Sequence, residues 1–462
     1  MLARDANRKW WILGAMGGVL AVILLDFTVV GVALPSMKKE IGLSELGSHW
    51  VINAYFLVMA VGVAVFGRLG DIIGQKSILF SGLIIFGVSS LLCAAAQNTE
   101  MIVGARIGQG LGAALIFPCG MSIIANVFEP EQRGFAYGIQ TATSGIAMAL
   151  GPLTGGIISN FISWRGVFWI NAPIVLAIVL IMLWKGRDKP NTLLERNVYS
   201  PKQVRKEPFD YVGCSLFCVG LSFCVIALLQ ISDWGYLVAA IGIIAGICLL
   251  ALFSVMERKN KNPFMDVSLF SDKGFSSYNL VVVAGQFMQT AAVVFVPIYL
   301  QSGMGFSPLM AGVAMLPAVI HLPLTGLWCG RLSDVHSERT LAIITIFASA
   351  VTLSMFGFAA YYKSYWLFVP ALILWGFALP FHFVPMRKAV VASVTSNKVG
   401  QASGICIAAQ LVGGTIYVSY AGAVLSLSDS YPFLFISSGL LLLLAWLVVL
   451  AWMPQKLVTP NE

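Results

Sequence analysis

A carboxylate inside an apolar segment is the first residue of this sequence that could do chemistry. Asp26 lies in the stretch LLDFTVVGVALP, residues 24–35, within an apolar run from Trp10 to Leu34. An Asp at the centre of a membrane helix costs about 2.5 to 3.5 kcal/mol on insertion scales, so such residues are rare unless they have a function. All other acids among the 20 Asp and Glu residues fall in loops or at the ends of apolar runs. A proton carried through the apolar region by a carboxylate must therefore use Asp26.

Arg106 is the candidate partner of Asp26, because it is the basic residue that we place inside an apolar run. If the first run leads outward and the fourth inward, a rise of about 1.5 Å per residue puts Asp26 about 12 Å and Arg106 about 8 Å below the outer edge. We expect them to meet directly or through water. Asp26 would gain and lose a proton, and Arg106 would tune it. The alternative is a static ion pair that holds helices together, although desolvating two charges costs several kcal/mol.

The elements that position these residues must be membrane helices. The 462 residues are 58% hydrophobic and only 10% charged, against roughly a quarter charged in an average soluble domain. Helices and closed barrels alone pair their backbone groups in lipid, and no stretch alternates as barrel strands do. We therefore predict an all-α membrane protein with fourteen transmembrane helices, each of about 20 residues. They begin near residues 10, 48, 77, 101, 135, 166, 211, 235, 275, 308, 341, 365, 400 and 431.

The distribution of basic residues predicts the topology. With the N-terminus inside, 23 of the 28 Lys and Arg residues fall in cytoplasmic segments, which supports an even number of spans and two cytoplasmic termini. The external segments hold Lys38, Lys39, Arg165 and Lys363. Because the net charge of +8 is spread over short loops, it gives no reason to expect nucleic acid as a partner. The eight cysteines lie in or beside apolar runs and indicate small buried residues rather than disulfides or a zinc site.

An internal repeat indicates two halves. GRLGD at residues 67–71 recurs as GRLSD at residues 330–334, and two additional spans separate the halves. Parallel six-helix repeats with a substrate site between them are typical of one class of secondary transporters. The predicted divisions are an N-terminal six-helix bundle (1–184), a cytoplasmic linker (185–210), two additional helices (211–256), a cytoplasmic loop (257–274) and a C-terminal six-helix bundle (275–462).

Several motifs in order resemble the major facilitator superfamily, in particular its fourteen-helix drug:proton antiporter branch, over nearly the whole chain. LLDFTVVGVALP resembles the first-helix signature, GRLGDIIGQK the loop after the second helix, GARIGQGLGAALIFP the fourth-helix motif and GIAMALGPLTGG the fifth-helix antiporter motif. WRGVFWINAPI, FDYVG, ERKNKNPFMDVSLF and VPIYLQSGMGFSPLMAGVAMLP are typical of the branch. The resemblance implies two six-helix bundles plus two helices, and proton-coupled efflux of drugs or toxic organic compounds across the bacterial inner membrane by alternating access.

The same resemblance suggests roles in gating. Asp71 and Asp334 occupy matching cytoplasmic loops, where an acid can cap a helix or pair with a base and close that side of the protein. We assign Gly67 and Lys76 to the same device, although a plain topological role for these charges is an alternative. Gly151 and Pro152 are predicted to control the outward interface, whereas ordinary tight helix packing would use the same residue types.

Polar and aromatic positions within spans are candidates for the substrate cavity. We predict that the cavity is lined by Gln140, Gln286, Gln289, Tyr299, His321 and Gln410. Hydrogen bonding between helices is the alternative for the glutamines. His321 and His382 could titrate near neutrality, or serve as neutral hydrogen-bonded residues.

No enzyme or cofactor signature emerges from the sequence. GQGLGA at residues 108–113 matches the loose dinucleotide fingerprint, but it lies in an apolar helix and follows no strand. Because the sequence has no P-loop lysine motif, a proton gradient rather than ATP is the expected energy source. We expect a monomer in the lipid bilayer that handles protons and a small molecule and needs no metal. Export of an endogenous metabolite, such as a siderophore or an amino-acid-derived compound, is the alternative function.

Overall fold

The computed structural model describes residues 2–185, 210–229, 235–260, 263, 265–306, 308–395 and 398–454. Most of the predicted linker (186–209) and the C-terminal residues 455–462 lie outside the described residues. The chain divides into two compact units, the first comprising Met1–Glu207 with Ser396–Ile407, and the second Pro208–Thr395 with Ala408–Glu462.

The first unit is built from seven helices, together with the first residues of the helix that begins at Val399. These are α1 (Leu2–Ile41), α2 (Glu45–Ile73), α3 (Gln75–Ala94), α4 (Thr99–Val127), α5 (Pro130–Phe161), α6 (Gly166–Trp169) and α7 (Asn171–Lys185). Side chains satisfy the free amides at two helix starts, since Ser44 accepts from the Gly47 amide and Asn98 from the Met101 amide. The order in this unit is therefore five long helices, one short helix and α7.

The second unit contains the remaining helices. They are α8 (Tyr211–Leu229), α9 (Tyr236–Glu257), α10 (Lys273–Thr290), α11 (Val296–Ser302), α12 (Pro308–Ala314), α13 (Leu316–Val319), α14 (Leu322–Val335), α15 (Glu338–Tyr361), α16 (Tyr365–Ala392), α17 (Val399–Ser428) and α18 (Tyr431–Trp452). A 3₁₀ turn at Val267–Ser271 precedes α10, and a π-helical turn at Ala291–Phe295 joins it to α11. The beginning of α17 belongs to the first unit and the rest to the second.

Twelve helices in the described part of the chain are long and apolar enough to cross a membrane, so the predicted count of fourteen is not supported. The run predicted to start near residue 308 is divided into the three short helices α12, α13 and α14. Each of them has a proline in its first turn. The missing amide proton is harmless there, because the first amides of a helix have no partner within it, but proline cannot continue a preceding helix, so that helix ends. The run near residue 135 forms α5, which is not among the twelve and is rich in Gly, Ser and Thr.

Glycines let α2 and α3 approach α4 closely. A Cβ at Gly110 would lie 2.6 Å from the Tyr55 carbonyl oxygen on α2, and one at Gly112 would lie 2.6 Å from the Phe86 nitrogen on α3. Under 3.0 Å no side chain fits without movement, so these positions require glycine. The GQGLGA stretch therefore packs helices, and its place in the middle of α4 agrees with the rejection of a dinucleotide site.

Helix α5 holds α1, which carries Asp26, by the same kind of contact. A Cβ at Gly151 would collide with the Thr28 side chain, and one at Gly155 would lie 3.2 Å from the Val29 carbonyl oxygen. Further along the pair, Gln140 Nε2 donates to the Met16 carbonyl oxygen at 3.3 Å. These contacts place the middle of α1 against α5.

Candidate functional site

Asp26 and Arg106 meet directly in the interior of the first unit. Arg106 Nη1 donates to Asp26 Oδ2 at 2.5 Å, and the two side chains are 1% and 0% exposed. Arg106 Nε donates to the Val51 carbonyl oxygen at 2.9 Å, which joins α4 to α2 as well as to α1. A buried ion pair of this kind is strongly destabilised when one partner is removed, because the remaining charge lacks both water and a counter-charge.

Two amide side chains complete the surroundings of the carboxylate. Asp26 Oδ1 accepts from Gln109 Nε2 at 3.3 Å and from Asn171 Nδ2 at 3.0 Å. Gln109 Oε1 accepts from Arg106 Nη1 at 2.7 Å, and because an arginine can only donate, the amide group of Gln109 must face Asp26. Ser90 Oγ accepts from Gln109 Nε2 at 2.7 Å. Five side chains from α1, α3, α4 and α7 therefore form one hydrogen-bonded group around Asp26.

Aromatic rings cover the cation of this group. The guanidinium carbon of Arg106 lies 4.3 Å from the centroid of the Tyr55 ring and 6.0 Å from that of Phe168. A cation over a ring face is attracted by the negative face of the ring. The Tyr55 hydroxyl and Asn171 Oδ1 are buried and have no hydrogen-bond partner among the described residues. Two polar atoms close to the ion pair are thus available for a new hydrogen bond.

The segment WRGVFWINAPI links this group to the predicted outer end of the unit. Trp164 Nε1 donates to Glu40 Oε2 at 2.7 Å, and Arg165 forms an ion pair with Glu40 at the end of α1. Arg165 Nη2 also donates to the Ala96 carbonyl oxygen at 2.9 Å, just after α3. Asn171, in the same segment, binds Asp26. One stretch of sequence therefore fixes both the end of α1 and the amide that faces its acid.

Asp71, near the end of α2, binds the first turn of α17 within the first unit. Its carboxylate accepts from the Gly400 amide at 2.8 Å and from the Gln401 amide at 2.7 Å. An acid at a helix N-terminus satisfies free amides and interacts favourably with the helix dipole. A Cβ at Gly67 would collide with the Gly400 carbonyl oxygen, so α2 and α17 are in close contact. Lys76 lies beyond, with Nζ 5.8 Å from the Phe80 ring centroid.

Asp334 makes a different contact from the equivalent acid of the repeat. It forms an ion pair with Lys388 Nζ at 2.9 Å, and the same ammonium donates to the Ser333 carbonyl oxygen at 2.7 Å. The contact joins α14 to α16 inside the second unit. The two matching acids therefore make different contacts, a helix cap and a salt bridge. Pro152, the remaining residue that we assigned to gating, is part of α5.

Most of the predicted cavity residues make hydrogen bonds between helices. Tyr299 donates to the Ala360 carbonyl oxygen at 2.7 Å, and His321 Nε2 lies 3.1 Å from the Ile373 carbonyl oxygen. Gln140 contacts α1 as described above, and Gln289 is 9% exposed. His382 is buried between Ser349 Oγ at 2.7 Å and the Val281 carbonyl oxygen at 3.2 Å. These contacts match the alternative of helix-to-helix bonding, and a cavity role for these residues stays a prediction.

Gln286 and Gln410 are brought together with Arg387, a residue that the sequence did not mark as part of a site. Gln410 Nε2 donates to Gln286 Oε1 at 2.9 Å, and Arg387 Nη2 donates to Gln410 Oε1 at 3.2 Å. Arg387 is only 5% exposed within α16. Its position five residues before the end of an apolar run concealed it, since arginine at such a place usually reaches the surface.

Gln109, Asn171 and Ser90 were also missed as site residues. Gln109 and Asn171 stand in quoted motifs, but their roles depend on the rotation of α4 and α7 about their axes. Ser90 lies in α3, three residues before Cys93, and no motif marked it. The only available signal was polarity within an apolar run, and many such residues simply bond to their own helix.

Comparisons with known proteins agree with this architecture. The family described as Major Facilitator Superfamily matches residues 16–232 and 279–461. The puromycin resistance protein of Streptomyces alboniger is 30% identical over 425 residues, covering 90% of this chain and 82% of that protein. The riboflavin transporter of Clostridioides difficile is 30% identical over 396 residues, covering 85% and 83%.

Among solved structures, a proton:xylose symporter of the superfamily bound to a bromodeoxyglucose has a TM-score of 0.70 at 14% identity. The match covers 97% of each chain, and at this identity it shows the fold alone. Together with the antibiotic-resistance relative, the family match agrees with the resemblance to the drug:proton antiporter branch. The chain belongs to the Major Facilitator Superfamily and is a multi-pass membrane transporter rather than an enzyme.

Proposed function

We propose that this protein is a proton-coupled antiporter that exports amphipathic small molecules, such as drugs or toxic organic compounds, by alternating access across the bacterial inner membrane. The single observation that carries the proposal is the buried ion pair between Asp26 and Arg106. A static scaffold gains little from such a pair, because apolar side chains of similar volume would hold the helices as well. A proton-driven transporter needs a buried acid whose charge can change.

Proton binding and opening are linked through the contacts of Asp26. A proton on its carboxylate removes the ion pair and weakens the bonds from Gln109 and Asn171, so the neutral form favours a different arrangement of α1, α4 and α7. A protein with two arrangements shifts toward the one that binds the ligand better. Proton uptake from one side and release on the other then follow from alternating exposure of the same acid.

Asp71 is proposed to hold the cytoplasmic side closed. Its carboxylate is shared by the Gly400 and Gln401 amides, and these bonds must break if α2 moves away from the start of α17. Gly67 permits the close approach that the bonds require. The distribution of Lys and Arg supports the orientation in which this end, and both termini, face the cytoplasm.

Export of an endogenous metabolite on the same scaffold is the second candidate. One relative is named for resistance to puromycin and another for transport of riboflavin, a vitamin. Both functions use the same ion pair, so the site does not separate them. Drug susceptibility of a deletion strain does: sensitivity to several unrelated compounds supports drug export, and accumulation of one cellular metabolite supports the alternative.

Transport in proteoliposomes tests the proton coupling. Purified protein is reconstituted with fluorescein, ethidium or puromycin as the probe, and movement of the probe is measured with and without an imposed pH gradient. We expect wild-type protein to concentrate at least one probe against its gradient when the pH gradient is present. Asp26→Asn should lose this uphill movement and keep exchange of labelled for unlabelled probe. Uphill transport at the wild-type rate in Asp26→Asn would refute the proposal.

A further inference from the structure

A chain of polar side chains in the second unit indicates what kind of chemical group the exported molecule carries. The chain, here called the amide relay, consists of Arg387 on α16, Gln410 on α17 and Gln286 on α10. We propose that the amide relay binds a hydrogen-bond-accepting group of the substrate, with anionic groups such as carboxylates preferred over cationic groups. The proposal rests on the export function above and adds the class of substrate.

The hydrogen bonds of the amide relay run in one direction. Arg387 Nη2 donates to Gln410 Oε1 at 3.2 Å, and Gln410 Nε2 donates to Gln286 Oε1 at 2.9 Å. A guanidinium has five N–H donors and no acceptor, so the oxygen of Gln410 must face Arg387. Its NH₂ group must then face Gln286, which in turn must present its oxygen. The orientation of both amides is therefore fixed by the arginine.

This direction leaves a donor at the far end. With its oxygen occupied by Gln410, Gln286 presents its NH₂ group outward from the relay. The positive charge of Arg387 polarises the two amides in the same sense, and hydrogen bonds in a chain strengthen one another. The end of the amide relay therefore attracts acceptors and anions and opposes cations.

Burial decreases along the relay toward that end. Arg387 is 5% exposed and Gln410 9% exposed, whereas Gln286 is half-buried. A molecule thus reaches the relay at Gln286, which is the end that donates. Gly414 lies beside Gln286, and a Cβ at this position would lie 3.3 Å from Gln286 Cγ. Because glycine has no side chain, the space next to Gln286 stays open on that side. The Arg387 guanidinium lies 5.5 Å from the Phe383 ring centroid, a contact that holds the buried end in place.

Equilibrium binding of two dyes of opposite charge tests the inference. Fluorescein, an anion, and ethidium, a permanent cation, are both fused-ring aromatics, and their binding to purified protein in detergent is measured by fluorescence anisotropy without a proton gradient. Gln286→Glu keeps an oxygen for the bond from Gln410 and replaces the outward NH₂ group by a charged acceptor. We expect it to weaken fluorescein binding at least tenfold, about 1.4 kcal/mol, without weakening ethidium binding.

Two further variants make the result specific. Gln286→Leu removes the donor without adding charge, and it should weaken fluorescein binding by a smaller factor. Gln301→Glu is the matched control, because Gln301 is exposed and its Nε2 bonds to the Pro297 carbonyl oxygen four residues earlier. It should change neither affinity. Unaltered fluorescein binding in Gln286→Glu, equal weakening of both dyes, or wild-type protein that binds ethidium and not fluorescein would each overturn the inference.

These outcomes are separable from failure of the proposed function. Dye binding is measured at equilibrium and needs no coupling to protons. If wild-type protein shows the expected charge selectivity but no gradient-driven transport, the antiport proposal fails while the amide relay stands. If transport is gradient-driven but Gln286→Glu has no charge-selective effect, the relay fails and antiport stands.

Discussion

Removing both charges of the Asp26–Arg106 pair at once separates a structural ion pair from a proton-coupling site. The perturbation is a double-mutant cycle of Asp26→Asn, Arg106→Gln and the double variant. A structural pair needs only compatible neutral partners, so the double variant should fold and work. A proton-coupling site needs a group that titrates, and the double variant has lost it.

The expected magnitudes follow from the contacts. Asp26→Asn leaves the Arg106 guanidinium 1% exposed without its counter-charge, and the new amide cannot offer oxygens to Arg106, Gln109 and Asn171 together. We expect each single variant to lose about 3 to 5 kcal/mol of the free energy of unfolding. The double variant should lose less than either single variant, so the interaction free energy should exceed the loss in either one, that is, more than about 3 kcal/mol.

Two measurements on the same samples complete the assay. The free energy of unfolding is measured in mixed micelles, and proton movement is measured with a pH-sensitive dye inside proteoliposomes when probe is added. We expect the double variant to regain stability and to keep substrate exchange, but to show no substrate-driven proton movement. Glu40→Gln is the control: it breaks the ion pair with Arg165, but Glu40 is 51% exposed, so its loss should cost less than about 1 kcal/mol.

One result would refute the reasoning. If the double variant moves protons on addition of the probe at the wild-type rate, the pair is structural, and the coupling group lies elsewhere. A double variant no more stable than either single variant would show instead that the energetic account of the pair is wrong.

Other predictions test the helix contacts around the site. Gly151→Ala should destabilise the protein by about 1 to 3 kcal/mol, because the added methyl group collides with Thr28. Gly156→Ala is the control and should be tolerated, because the space around Gly156 is open. Equal thermal stability of the two variants would contradict this packing. Asp71→Ala should lose the cap on α17, about 1 to 2 kcal/mol, and Asp71→Asn should retain about half of it, because asparagine has one acceptor oxygen and can replace only one of the two bonds. Unfolding in mixed micelles measures both losses, and an equal loss in the two Asp71 variants would exclude capping as its main stabilising effect.

Sequence reasoning recovered those features that depend on hydropathy and on depth along a helix. The similar depths of Asp26 and Arg106 predicted that they could meet, and the structure places their atoms 2.5 Å apart. The all-helical class followed from composition. The count of fourteen spans was not supported. Apolar length alone ignores the prolines that divide residues 308–335 into three short helices, and α5, rich in Gly, Ser and Thr, is the other segment that is not among the twelve.

Features that depend on rotation about helix axes were not predictable. Asn171 and Gln109 face Asp26 because α7 and α4 are turned toward α1, and the turn is fixed by tight contacts such as that of Gly110 with Tyr55. A single sequence gives no measure of that rotation. The burial of Arg387 was not predictable for a related reason, since nothing in the sequence shows whether an arginine near the end of a span reaches the surface or bends inward.

The composition of the Asp26 group determines where a proton entering it can reside. Arginine keeps its proton at any physiological pH, and the side chains of Gln109, Asn171 and Ser90 do not titrate there. Under the proposed coupling, Asp26 is the member of the group that takes up the proton, and its protonation removes an ion pair and weakens two charge-assisted hydrogen bonds. Because that loss must be offset elsewhere, protonation favours any arrangement in which Arg106 has moved away from Asp26 or has found another acceptor. By linkage, if protonation of Asp26 raises the affinity for a molecule by some factor, binding of that molecule raises the affinity of Asp26 for protons by the same factor.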